Sequence, residues 1–198
     1  SGGGISNTGS LSISSSTLSG NSATGNGGGI FNRGSLSISS SSISGNLATQ
    51  GGGILNFSNG SVSISSSTLS GNSADQEGGG IYNRETLSIS SSTLSGNTAS
   101  NGGGIFNSDR GSVSISSSTL SGNSAGQGGG IWNNRSLSVT GSTISNNTAN
   151  IGGGLFNTGT IAAVNITSSS ISGNLANRGG GFYNSGSLSI SSSTISNN

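Results

Sequence analysis

From Ser35 the chain reads Ser-Leu-Ser-Ile-Ser, and this alternation of a small polar with a branched apolar residue returns at Ser10, Ser61, Thr86, Ser112, Ser136 and Ser187. Period two puts Leu36 and Ile38 on one face of a strand and Ser37 and Ser39 on the other. No stretch has the i, i+3, i+4 spacing of an amphipathic helix, and abundant Ser, Asn and Gly disfavour one. Two shorter segments flank each alternating run. Gly29 to Asn32 precede it and Ser42 to Asn46 follow it, so the pattern predicts three short strands per repeat.

The repeat is regular. A Gly triplet begins at Gly2, Gly27, Gly51, Gly78, Gly102, Gly128, Gly152 and Gly179, which makes eight units of about 25 residues. Arrays of this kind are solenoids. The pattern predicts an all-β parallel β-helix of eight coils, each strand pairing with its counterparts one coil above and below. Leu11, Ile13 and Leu18 should then stack on Leu36, Ile38 and Ile43, and these on Val62, Ile64 and Leu69. At about 4.8 Å per coil the rod is roughly 38 Å long. Units of 24 residues begin at Gly27, Gly78 and Gly128. The longer units carry their extra residues mostly after the first Asn, as in Phe57 to Gly60 and Ser108 to Gly111. These bulkier turns either relieve crowding along one edge or project to meet a partner.

Two Asn positions are the same in all eight units: Asn7, Asn32, Asn56, Asn83, Asn107, Asn133, Asn157 and Asn184, and then Asn21, Asn46, Asn72, Asn97, Asn123, Asn147, Asn174 and Asn198. Amides stacked at this period can hydrogen-bond along the axis as ladders, and Asn tolerates the left-handed backbone of a tight corner. The Gly triplet allows the chain to turn and to approach its neighbours closely. A phosphate-cradling reading of the triplet would need a strand-to-helix junction and usually a Lys; the sequence offers neither.

Composition alone would suggest disorder, since Gly, Ser and Asn make up 39, 53 and 25 of the 198 residues. The periodicity overrules that reading, because a solenoid needs only four or five inward apolar residues per coil. His, Cys, Met, Pro and Lys are absent, which excludes His-based triads, thiol chemistry, disulfide frameworks and zinc sites. The five cations are all Arg, and the acids are Asp75, Glu77, Glu85 and Asp109. A net charge of +1 supplies no basic field for nucleic acid, no apolar run reaches membrane-spanning length, and the sequence calls for no cofactor. Asp75 and Glu77 share one turn without a second acid cluster or third ligand, so the expectation is no enzyme, no catalytic residue and no metal site. Arg33, Arg84 and Arg135 fall in the turn after the first Asn, near enough to Glu85 and Asp109 for weak exposed pairs.

Units such as Gly27 to Ala48, GGGIFNRGSLSISSSSISGNLA, resemble the repeats of right-handed parallel β-helix surface proteins. They are most similar to the GGA[ILV] and FxxN repeats of chlamydial polymorphic outer-membrane proteins. Here Gly stands in place of the motif's Ala, and Phe and Asn are adjacent. The resemblance covers the whole chain. It implies a pectin-lyase-like fold of right-handed sense, an extracellular or cell-surface location and an adhesive role, and it supplies no catalytic residue.

A large residue follows the apolar residue after the triplet in most units: Phe31, Leu55, Tyr82, Phe106, Trp132, Phe156 and Tyr183, with Ser6 the exception. Alternation points this row outward, where Phe31, Tyr82, Phe106, Trp132, Phe156 and Tyr183 would form a partner-binding stripe for a carbohydrate or a receptor on a host or cell surface. A corner after the triplet would instead turn both residues inward. The outward Ser grid of the alternating strands admits ice binding as a lesser reading, weakened by the scarcity of Thr. Residues 1–198 read as a single β-solenoid segment without caps, a window of a longer repetitive chain or a rod that associates with itself end to end or laterally. The expected function is a non-enzymatic structural or adhesive module: a fibre, stalk or surface coat.

Overall fold

Coil 4 (78–101) shows how the sequence becomes structure in the computed structural model, which describes residues 2–159 and 161–198. Its first strand, Ile81–Asn83, is short because the ladder Asn ends it. The alternating run forms the second strand, Thr86–Ser90, with Leu87 and Ile89 buried and Ser88 exposed. The third is Thr93–Ser95, with Leu94 buried. Ile81, Leu87, Ile89 and Leu94 thus point into one thin core, each at most 1% exposed. Burial of such side chains stabilises the fold by about 1.5–3 kcal/mol each.

The other coils repeat this plan. Three sheets of eight strands run the length of the solenoid, one built from each predicted strand. Within these three sheets all strand pairs are parallel and in residue-for-residue register: Leu11 lies against Leu36 and Ile13 against Ile38, Leu36 against Val62 and Ile38 against Ile64, and Leu18 against Ile43 and Ile43 against Leu69. The predicted stack of aliphatic residues is therefore the core. Among the described residues there is no helix long and apolar enough to cross a membrane.

Two features differ from the sequence expectation. A fourth sheet of six strands occupies the segment after the third predicted strand, where the pattern predicts none, with strands such as Leu47–Gln50, Ser73–Glu77 and Thr98–Asn101. Apart from the Ala at the second position of each strand its side chains vary from coil to coil, and only Ala48, Ala74, Ala99 and Ala149 among them are buried. The ladder is made largely by the backbone, and where Ser73–Glu77, one residue longer than its neighbours, pairs with them the register shifts, as between Ala74 and Glu77.

The second difference concerns the corners. The ladder Asn residues do not hold the left-handed backbone. That conformation belongs to the residue just before the second ladder position, Gly96 in coil 4 (φ 63°), and to Asn146 in coil 6 (φ 55°). It also belongs to the corner between the second and third strands, where Ser91 has φ 47°. The equivalent residue is Ser in seven coils and Gly141 in coil 6, with φ between 46° and 56° throughout. A non-Gly residue there costs about 1–2 kcal/mol. What holds it is the next residue: Ser92 Oγ donates to the Ser90 carbonyl at 2.7 Å and accepts from the Ser67 backbone N–H at 3.1 Å. Ser41, Ser67, Ser118, Ser142 and Ser169 repeat both bonds. This serine ladder is a third axial column beside the two of Asn.

Candidate functional site

Both Asn columns are continuous. In the first, each Nδ2 donates to the Oδ1 of the next coil's Asn, from Asn7 through Asn32, Asn56, Asn83, Asn107, Asn133 and Asn157 to Asn184, at 2.7–3.0 Å. The same Nδ2 groups reach turn carbonyls, such as Glu85 from Asn83 at 2.8 Å. In the second, Asn21, Asn46, Asn72, Asn97, Asn123, Asn147, Asn174 and Asn198 are linked at 2.8–3.0 Å. Each Oδ1 of this column after the first also accepts the backbone N–H of the preceding coil's Asn. In the interior coils the amides are sealed from water, so these columns hold coils together and offer nothing to a ligand.

The large residue between Ile and Asn has a different fate. Ile81 and Asn83 are both buried, and alternation sends Tyr82 the other way; Phe31, Leu55, Phe106 and Phe156 likewise take no part in the aliphatic core. Parallel register then places ring on ring. Tyr82 stacks on Phe106 with centroids 5.2 Å apart, Phe106 on Trp132 at 4.2 Å, Trp132 on Phe156 at 6.2 Å and Phe156 on Tyr183 at 5.1 Å, with interplanar angles of 9–23°. Phe31 continues the row beyond Leu55. The stacked rings therefore cover one another's faces and turn their edges outward, so Phe106 and Phe156 are buried although they lie outside the core; Phe31, set between Ser6 and Leu55 with Arg33 over its ring, is buried as well. Tyr82, Trp132 and Tyr183 are half-buried. A sugar approaching the middle of this row meets ring edges, where stacking on a pyranose face has no platform.

Two walls flank the row. Gln50 and Glu77, at the ends of fourth-sheet strands, form one wall; Ser108, Asp109 and Asn134, in the turns after the first ladder Asn, form the other. With Tyr82, Phe106 and Trp132 they enclose a groove of about 340 Å³. Gln50 Nε2 donates to Glu77 Oε2. Ser108 is buried beside the Tyr82 phenol.

Burial, and next the carboxylate of Glu77, push the Tyr82 phenol above the ordinary value of 10.0, with Arg84 opposing. The folded chain thus holds this proton more tightly than the unfolded chain. Tyr82 favours folding fully below pH 10, and that contribution is lost as pH rises through the folded-state value. Ultraviolet titration of the native protein will show a phenol ionising above the ordinary range, and Tyr82→Phe will remove it. A Tyr82→Phe trace that keeps this step contradicts the assignment.

The charged residues gather on the neighbouring edge. Arg33 Cζ lies 4.9 Å from the Phe31 centroid and 5.9 Å from that of Phe57, and Arg84 Cζ lies 4.8 Å from Phe57. Phe57 belongs to an inserted turn, Phe57 to Gly60, in which Ser58 and Asn59 both have positive φ (50° and 68°) and Gly60 N–H donates to the Phe57 carbonyl. This is a type I′ turn. A Cβ at Gly60 would lie 2.1 Å from Asn56 Oδ1, so the turn closes directly over the ladder. The contact of Arg33 and Arg84 with one Phe two coils apart was not legible in the sequence, because Phe57 lies in the variable turn.

The Chlamydia polymorphic membrane protein repeat matches the chain at residues 15–33 and 66–84. Each matched segment runs from the serine corner through the second ladder Asn, the Gly triplet, Ile and the aromatic residue to the first ladder Asn and the Arg that follows. No curated protein and no solved structure matches the chain.

Proposed function

We propose that this chain, a parallel β-solenoid whose repeats are similar to those of Chlamydia polymorphic membrane proteins, is a non-enzymatic structural and adhesive module displayed at a cell surface. The observation that carries the reading is the place of the family match: both segments span the elements that build a coil, namely the serine corner, both Asn columns and the triplet. The repeat and the fold together fit a surface-associated repeat protein. The physical character of the rod supports the same reading. Its two Asn columns are turned inward to join coils, and the outer face of its alternating strands is a field of Ser with some Thr. A stiff rod with such an exterior extends its turns away from the surface that carries it.

Immunogold electron microscopy tests this on intact and permeabilised cells of the source organism, with antibody raised against the whole chain. Label on the outside of intact cells is the expected result. Label confined to permeabilised cells overturns the surface reading. For adhesion, beads coated with the chain should attach to cells or matrix more than beads coated with albumin; equal attachment leaves the rod as a spacer only.

A further inference from the structure

Four of the five cations lie in the turns after the first ladder Asn: Arg33, Arg84, Arg110 and Arg135. These turns stack along one edge of the solenoid, because the Asn column that precedes them is in register. The edge is notched. Coils 3 and 5 carry the inserted turns Phe57 to Gly60 and Ser108 to Gly111, whereas coil 4 between them has only the short turn of Arg84 and Glu85. The gap is a pocket of about 280 Å³ lined by Phe57, Ser58, Asn59, Arg84, Glu85 and Arg110. Arg84 Cζ lies over the Phe57 ring, a contact that leaves guanidinium N–H groups for another partner. Arg110 is exposed on the opposite wall.

We propose that this notch binds the carboxylate or sulfate groups of an acidic polysaccharide, whose chain runs along the arginine edge parallel to the solenoid axis. Two guanidinium groups facing one gap suit a planar or tetrahedral oxyanion, which they engage through paired N–H donors. Ser58 and Asn59 add hydroxyl and amide groups of the kind that meet sugar hydroxyls. Charge spacing selects the polymer. Arg33, Arg84 and Arg135 recur every second coil, about 9.6 Å apart at a coil rise of about 4.8 Å. Nucleic-acid strands carry a charge about every 3.4 Å and are held by dense basic fields, which this edge lacks. A glycan with one acidic group every one or two sugar rings has the sparser spacing that the edge offers. Glu85 shares the notch and opposes the anion, so removing its charge should tighten binding. The inference is independent of the surface reading and concerns chemistry measurable on the isolated chain.

The test is calorimetric titration of the whole chain with dextran sulfate, polygalacturonate and neutral dextran at low salt. Both acidic polymers should bind and neutral dextran should not. Arg110→Gln should weaken binding about tenfold, the loss of charge-assisted bonds, and Arg84→Gln with Arg110→Gln should abolish it. Glu85→Gln should strengthen it. Arg110 and Glu85 lie in turns, and unchanged circular dichroism melts will show that these variants fold. Three results would each overturn the proposal: Arg110→Gln and Glu85→Gln both matching the parent, neutral dextran binding as tightly as dextran sulfate, or a single-stranded DNA oligomer binding as tightly as dextran sulfate with the same response to the variants.

Discussion

An Asn97→Ala variant will lose about 3–5 kcal/mol of stability, among the largest effects of any single side-chain truncation in this fold. Asn97 is fully buried and its side chain makes four hydrogen bonds with three neighbours. Its Oδ1 accepts from the backbone N–H and the Nδ2 of Asn72, both at 3.0 Å, and its Nδ2 donates to Asn123 Oδ1 at 2.9 Å and to the Leu69 carbonyl at 3.1 Å. Ala leaves the Asn72 N–H with no acceptor in a site sealed from water. Such an orphan costs about 1–3 kcal/mol, and the weakened bonds of Asn72 Nδ2, Asn123 Oδ1 and Leu69 add to it. Asn97→Asp should be no better, because a carboxylate cannot donate to Asn123 and brings a buried charge. Asn198→Ala is the comparison: Asn198 belongs to the same column but is exposed, so water replaces what is lost. Urea unfolding followed by circular dichroism and by the single Trp132 should show a lowered midpoint for Asn97→Ala and a small shift for Asn198→Ala. Equal shifts would mean that the interior column contributes no more than exposed hydrogen bonds do.

The second large effect is expected at the middle Gly of a triplet. A Cβ at Gly103 would lie 2.5 Å from the Ser124 carbonyl oxygen and 2.6 Å from that of Gly129. Both obstacles are backbone, in Gly103's own coil and in the next, so no side chain can swing aside. Overpacking usually costs about 1–3 kcal/mol, and here relief requires adjacent coils to separate, which stretches the Gly103 N–H bond to the Gly128 carbonyl. Gly103→Ala should therefore cost at least the upper end of that range and lower the thermal midpoint sharply. Gly25→Ala is the control, since no atom lies within 4 Å of a Cβ there. If circular dichroism melts of the two variants coincide, close approach of the coils is not what the triplet provides.

The parts of this structure legible in the sequence are those where one residue type does one job in every coil. Leu87 and Ile89 announce a strand with a single buried face. Asn83 and Asn97 announce columns because Asn is too specific a residue to recur by chance at a fixed period. The serine column was hidden by abundance. Ser92 is as constant as Asn97, yet among 53 serines constancy carries little information, and nothing in the composition singles out Ser91 as the left-handed residue. Gly141, at the same corner of coil 6, was the one available clue. The fourth sheet escaped for the opposite reason: Thr49 and Gln50, Gln76 and Glu77, and Ser100 and Asn101 follow no common pattern, since backbone groups make most of that ladder.

The direction of the aromatic row could not be settled by alternation, because the outcome lies between the two expectations. The rings leave the core, as period two requires, and are then buried by each other. Phe31 is covered differently, between Ser6 and Leu55 with Arg33 over its ring. Where Leu55 interrupts the row, the gap is bridged on the edge by Phe57 and the guanidinium groups of Arg33 and Arg84, residues that no pattern within a single unit connects.

The strict register of the coils has a consequence for inheritance. Changes in unit length are confined to the turn after the first ladder Asn and the fourth-sheet segment after the second, while the columns and the core recur without slippage. Unequal exchange between two repeats of the gene, at any matching point, deletes or duplicates a whole coil and rejoins identical surfaces. Each event lengthens or shortens the rod by about 4.8 Å and moves any distal turn by the same step, without inventing a new interface. The reach of such a protein can be tuned by counting.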